Sequence, residues 1–252
     1  MYSDFHSLSD ILDQLPSDFE LHSTSSPAYQ IYNKAVVELL ADSDLDDPVS
    51  GSIFLEQFGS LIFPYVSMGS VDSIDLFYLN ELIIFSYYWV NRSRYTRVAD
   101  IGANLGLHSL IMEKCGWNVT GYEPDPQNVH LYNRNLVLND SQLVEVIDAA
   151  VSDFAGIREF VRVLGNTTGS HLAGSKQHPY GEIEKFPVRV VSADEIFTDF
   201  DLIKLDVEGS EASIVEATER THWLATELIA EIGNRENASR IFRHLSELEV
   251  NC

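Results

Sequence analysis

The stretch VADIGANLGLHSL, residues 98–110, followed by Gly121-Tyr122-Glu123-Pro124, decides the fold. Residues 98–101 form a short apolar run ending in glycine, which reads as a buried parallel strand, and residues 105–115 carry the apolar spacing of a helix. A strand enters a tight glycine turn and leaves it as a helix. Gly102 and Gly106 lack the Cβ that would hold a ligand off the backbone, and the turn aims free N–H groups above the strand end. Residues 117–122 read as a second strand with Glu123 at its carboxyl end, where a carboxylate can accept hydrogen bonds from both hydroxyls of a ribose. The segment therefore predicts a nucleoside site.

Spacing selects the nucleoside. The loop Gly102-Ala103-Asn104-Leu105-Gly106 has no third glycine of the G-x-G-x-x-G kind, which lets a helix start approach a pyrophosphate. Asp100, just before the loop, is a poor neighbour for a diphosphate and a good one for the ammonium and sulfonium of S-adenosylmethionine. A methyl donor is the expectation, and a nicotinamide-dependent oxidoreductase is the alternative.

Outward from this loop, strand and helix patterns alternate. Strands are predicted at residues 98–101, 118–122, 143–151, 202–206 and 228–232, and helices at 105–115, 126–138, 211–221 and 238–248. The alternation predicts an α/β fold with a doubly wound, mostly parallel Rossmann-like sheet. Between the third and fourth strands lies an insertion with extra strands near 158–164 and 186–191. The loop between them, 165–180, is rich in Gly, Ser, Thr and His and suits an active-site loop. Upstream, residues 28–40 form an amphipathic helix, 52–66 a hairpin candidate and 75–90 a long helix. The expected organisation is an N-terminal extension over 1–95 and a Rossmann-like domain over 96–252.

The 252 residues carry a formal charge of -23 spread along the chain, which argues against a protein that tracks nucleic-acid phosphates. The two cysteines, Cys115 and Cys252, have no metal-like spacing and suit a reducing compartment. The N-terminus has no basic region or long apolar run, and the apolar run 79–90 is too short to span a bilayer and contains Glu81. A cytoplasmic protein with no membrane and no nucleic-acid partner is expected.

The motifs DIGANLGLHS (100–109), YEPDPQN (122–128), DAAVSDFAG (148–156), GNTTGSH (165–171) and DLIKLDVEGSE (201–211) occur in this order. In these, the chain resembles the FkbM family of S-adenosylmethionine-dependent methyltransferases, class I Rossmann-like enzymes that mostly methylate hydroxyls of sugars and secondary metabolites. The resemblance implies Asp100, Gly102, Asn104 and Gly106 around the methionine part of the donor and Glu123 on its ribose. It also implies Asp148, Ala149 and Ala150 beside the adenine, and Asp206 beside the reacting methyl. Class I enzymes usually add two strands after the fifth, whereas only one, near 248–252, fits here. The shortened C-terminus leaves a sheet edge for the N-terminal hairpin or a partner subunit to cover, or leaves it exposed.

For the acceptor side, Lys204, Asp206, Glu208 and Glu211 crowd at the end of an apolar strand, where neighbouring carboxylates raise one another's pKa toward a general base. Glu208 and Glu211 equally suit a helix start, and Lys204 suits pairing with Asp206. His171, ending the polar loop, is the best imidazole candidate for taking a hydroxyl proton. The expected catalytic set is Asp206, Glu208 and His171. Glu231 lies in reach of the same cleft, but the trio of Asp206, Glu208 and Glu231 matches no metal motif, so no metal is assigned. The expected activity is O-methylation of a hydroxyl on a sugar, glycolipid or small metabolite. A donor-binding but inactive partner protein is the reading from another class, and a homo-oligomer is a separate expectation for the partners.

Overall fold

A computed structural model describes residues 5–17, 23–175 and 181–251. Helix α1 (Leu8–Gln14) opens on a capping box at Ser7, and α2 (Pro27–Ala41) on Pro27 with Ser26 accepting from the Tyr29 N–H. The expected hairpin is β1 (Ser52–Leu55) and β2 (Gly59–Ile62), paired antiparallel. The predicted helix 75–90 is a 3-10 turn, Asp75–Phe77, followed by α3 (Leu79–Val90), because Tyr78 takes an extended conformation between them.

The central sheet follows the expected alternation: β3 (Arg97–Ile101), α4 (Leu107–Lys114), β4 (Asn118–Glu123), α5 (Pro126–Leu138) and β5 (Val144–Asp148). The predicted third strand, 143–151, is broken. Ala149 is buried and its N–H bonds back to the Ile147 carbonyl at 2.8 Å, a three-residue turn that sends β6 (Ala150–Ser152) into a second sheet. There it runs parallel to β9 (Ile183–Ser192), which pairs antiparallel with β7 (Gly156–Val163), itself paired with the short β8 (His171–Leu172). The short α6 (Ala193–Ile196) returns to the central sheet at β10 (Leu202–Leu205), followed by α7 (Glu211–Glu216), β11 (Glu227–Ala230) and α8 (Arg235–Glu247). Helix α7 ends before the predicted 221. Thr218 donates its hydroxyl to the Val215 carbonyl at 2.6 Å, and the chain goes on into a 3-10 turn, Arg220–Trp223.

The five central strands are all parallel, in the order β11-β10-β3-β4-β5. Strand order reverses at β3, which places the ligand crevice of such a sheet over the carboxyl ends of β3 and its neighbours. One buried cluster joins the N-terminal elements to the α4/α5 face through Leu12, Val36, Phe85, Leu110, Trp117 and Tyr132. A second fills the opposite face with Ile214, Val215, Ile241 and Leu245. Among the described residues no strand follows α8, so β11 is a sheet edge. The N-terminal hairpin forms no ladder with it. Asn139, at the end of α5, ties that hairpin down through both the Ile62 N–H and carbonyl, at 2.9 and 2.8 Å.

Candidate active site

The turns after β3, β4, β10 and β11 surround a cavity of about 530 Å3, closed by residues from 68–81 and by the β7–β8 insertion. That volume lies in the usual range for a small-molecule site. Gly102, Asn104, Glu123, Ala150, Asp206 and Glu208 line it, as does Glu231.

Both loop glycines sit at φ +81, in the left-handed region that favours glycine, but their missing Cβ atoms make room for protein rather than for ligand. A Cβ on Gly102 would stand 1.8 Å from the Asp206 carbonyl oxygen, and one on Gly106 would stand 2.0 Å from the Tyr132 ring. The space-for-ligand reading of these residues is thereby corrected: Gly102 lets the β3 and β10 turns meet, and Gly106 lets α5 pack on the loop. Asn104, also at positive φ, donates its backbone N–H to Glu123 Oε2 at 2.8 Å.

Asp100 is fully buried beneath the loop. Its Oδ2 accepts from the Ser109 hydroxyl at 2.7 Å, while its Oδ1 has no hydrogen-bond partner and lies 3.7 Å from Lys204 Nζ. Lys204 also approaches Asp206 at 3.3 Å, as its strand alternation suggests. Burial opposes the Lys204 charge, but Asp206, Asp100 and Glu81 outweigh it and raise its pKa.

Glu123 is buried at the end of β4, and its Oε1 accepts from the Asp125 N–H at 2.9 Å. Burial pushes its carboxyl up to about 8 against these hydrogen bonds. Asp125 caps α5 through the Gln127 N–H. Glu231, exposed at the rim beside Asp206, is pushed up to about 7, first by the Asp206 charge and then by partial desolvation of its carboxyl. Glu208 takes a positive φ of 56 in the turn before α7. Glu211 serves the fold: its carboxylate accepts from the Gly209 N–H at 2.8 Å and from Asn237 Nδ2 at 2.9 Å.

Not every expected residue reaches the cavity. Asp148 is exposed at the end of β5 and Ala149 is buried in the bend, and neither lines the cavity, whereas Ala150 and Val151 do. His171 is not on a polar loop. It is a buried residue of β8 whose Nδ1 donates to the Gly169 carbonyl at 3.0 Å, and its neighbours Ser170 and Leu172, on the opposite face of the chain, line the cavity instead. Part of the loop that held it, residues 176–180, lies outside the described residues. Asp206, Glu208 and Glu231 share one rim, but among the described residues no three acid, His or Cys side chains come together closely enough to hold a metal. Sequence reading missed Asp72, Asp75, Tyr78, Asn80 and Glu81, which wall the cavity from the N-terminal side. An apolar helix pattern gave no local signal for them.

Residues 100–237 match the methyltransferase FkbM domain. The chain belongs to the FkbM methyltransferase family. The matched segment of this FkbM protein runs from Asp100 to Asn237, through the glycine loop and the ends of β4, β10 and β11. It is similar to methyltransferase sdnD of Sordaria araneosa, at 25% identity over 162 residues, 50% of this chain and 61% of that protein. The chain thus spans under two thirds of that curated relative. Its fold is similar to that of a SAM-dependent methyltransferase from Agrobacterium tumefaciens (TM-score 0.45, 9% identity, 78% of this chain and 58% of that one). It is also similar to a precorrin-6y C5,15-methyltransferase from Geobacter metallireducens (TM-score 0.38, 13% identity, 64% and 69%).

S-adenosylmethionine is the cofactor that family membership assigns to this FkbM chain, and the residues present fit it. Asn104, which lines the cavity, has a buried Oδ1 without a hydrogen-bond partner among the described residues, free to accept from a bound ligand, while Asp100 beneath it carries charge opposite Lys204. Glu123 keeps lone pairs for a ribose beyond the two backbone bonds it accepts. Among the described residues no helix is long and apolar enough to cross a membrane.

Proposed function

We propose that this protein methylates a hydroxyl group of a small neutral acceptor, a sugar, glycolipid or small metabolite, with Gly102, Asn104 and Glu123 holding the donor over Asp100. The observation that carries this reading is the chemistry of the cavity wall. Asp72, Asp75, Glu81, Glu123, Asp206, Glu208 and Glu231 supply carboxylates, while Ser70, Tyr78, Thr167, Thr168 and Ser170 supply hydroxyls. No Lys, Arg or His lines it among the described residues. Such a wall repels phosphates, which disfavours nucleic acid and phosphorylated acceptors, and it hydrogen-bonds neutral hydroxyls.

When bound, S-adenosylmethionine supplies a methyl group activated by a positively charged sulfur. The protein's task is then to align an acceptor oxygen and to take its proton. Asp206 and Glu208 stand at the rim where that oxygen would be held. Glu231, with its pKa near 7, is poised to accept the proton near neutral pH.

The test is incubation with deuteriomethyl S-adenosylmethionine and a panel of neutral sugars, glycolipids, sugar phosphates, amines and RNA, read by mass spectrometry. Label on an oxygen of a neutral acceptor is expected. Label confined to nitrogen, carbon, RNA or phosphorylated acceptors would overturn the reading.

A further inference from the structure

The segment matched to the family begins at Asp100, yet three cavity carboxylates, Asp72, Asp75 and Glu81, come from well before it. Glu81, in the first turn of α3, lines the cavity with its side chain only 15% exposed. His108 Nε2 lies 2.9 Å from Glu81 Oε2, and His108 Nδ1 faces the Tyr88 hydroxyl at 3.1 Å. The imidazole is packed edge-on between Phe85 and Tyr88, so it has little freedom. His108 belongs to the first turn of α4, directly after the glycine loop. The Glu81 carboxylate is therefore fixed relative to that loop although it enters from another part of the chain. Burial works against its charge, but His108 and Lys204 hold its carboxyl below the ordinary range, so it stays anionic.

Charge around this carboxylate is unbalanced. Lys204 meets Asp100 at 3.7 Å and Asp206 at 3.3 Å, and its field also reaches Glu81 and Glu231. Asp100, Asp206 and Glu81 thus surround one buried ammonium, with only the His108 imidazole added at Glu81, and buried negative charge in excess of its partners is costly unless a cation completes the set. The methyl donor has cationic groups at one end only. Its nucleoside end is assigned to Glu123 at the end of β4, on one side of β3. Glu81 interacts with groups of β10 and the turn after β11, on the other side.

We propose that Glu81 binds the α-ammonium at the methionine end of the donor, with His108 as the positioning residue that holds the carboxylate. The proposal rests on the donor reading above and adds to it a binding residue contributed by the N-terminal segment.

Two nucleosides test it by calorimetry. S-adenosylhomocysteine carries the amino-acid end, whereas 5′-methylthioadenosine has the same nucleoside and no ammonium. In Glu81→Gln the affinity for S-adenosylhomocysteine is expected to fall about tenfold or more, the scale of a lost charge-assisted hydrogen bond. The affinity for 5′-methylthioadenosine should hold within about twofold, since nothing it carries meets Glu81. His108→Gln should show the same selective loss at smaller size, and it provides the comparison should Glu81→Gln not fold. Equal losses on both ligands, or no loss on either, would overturn the proposal. Wild-type protein that binds neither nucleoside would instead sink the donor reading itself, and the proposal with it.

Discussion

Arg162 grips Asp125 with two buried hydrogen bonds, Nε to Oδ2 at 2.6 Å and Nη2 to Oδ1 at 2.5 Å. Both side chains are almost wholly enclosed, and the guanidinium also reaches Glu184 on β9 at 2.5 Å. Asp125 caps α5 and gives its N–H to Glu123, so the pair ties the second sheet to the turn after β4. Removing one partner leaves an uncompensated buried charge. Arg162→Met should cost roughly 3–5 kcal/mol of stability in urea unfolding. Adding Asp125→Asn should return part of that loss, because the two residues act as a unit. Additive losses would show that the pair is not coupled.

Gly102→Ala should destabilise the fold rather than merely block the donor. The new Cβ would meet the Asp206 carbonyl oxygen, and the φ of +81 is strained for any L side chain. Backbone strain of this kind costs on the order of 1–3 kcal/mol before the clash is counted. Gly106→Ala should be rescued in part by Tyr132→Leu, which removes the ring that the new Cβ meets. Thermal melts of the single and double variants decide it. A normal melt for Gly102→Ala would mean that the β3 and β10 turns can move apart.

The strand, glycine turn and helix over residues 97–114 were legible because their information is local: a strand, a positive-φ glycine and a helix start fall close together, and Glu123 ends the next strand. The parallel strands were legible as apolar runs alternating with helix patterns. The break at Ala149 was not, because its apolar neighbours suit a continuous strand and only tertiary packing bends it. His171 misled for a related reason. A polar GNTTGSH motif reads as loop, but pairing with Val161 folds it into the second sheet and buries the imidazole. Glu81 lay hidden in an apolar helix pattern, since its relation to His108 spans 27 positions.

Stability of the ligand-free protein should fall as pH rises from about 4.5 to about 8. Glu123 and Glu231 have folded pKa values raised to about 8 and about 7 from an ordinary 4.5. The folded state therefore favours their protonated forms. Their contribution is complete below the unfolded value and is lost as pH climbs through the folded values. Glu123→Gln, which cannot ionise, should lose less stability than wild type between pH 5.5 and 8.5. A variant with the same pH slope as wild type would remove Glu123 as the source.

Glu231→Gln should lower turnover on a competent hydroxyl acceptor by roughly a hundredfold, the usual scale for a general base. Its affinity for S-adenosylhomocysteine should stay close to wild type. Asp206→Asn should change both quantities, because Asp206 pairs with Lys204 and also lines the rim of the cavity. Single-turnover rates together with calorimetry separate the two cases. A Glu231→Gln rate equal to wild type would shift the proton acceptor to Asp206 or Glu208.

The most direct test of the donor site is calorimetric titration of wild-type protein and Glu123→Ala with S-adenosylhomocysteine and with NAD. Wild type should bind S-adenosylhomocysteine and not NAD, and Glu123→Ala should bind it with a loss on the order of 1–3 kcal/mol, the cost of leaving buried ribose hydroxyls without their partner. Equal affinity in the two proteins, or binding of NAD in place of S-adenosylhomocysteine, would contradict the placement of a methyl donor over β3 and β4.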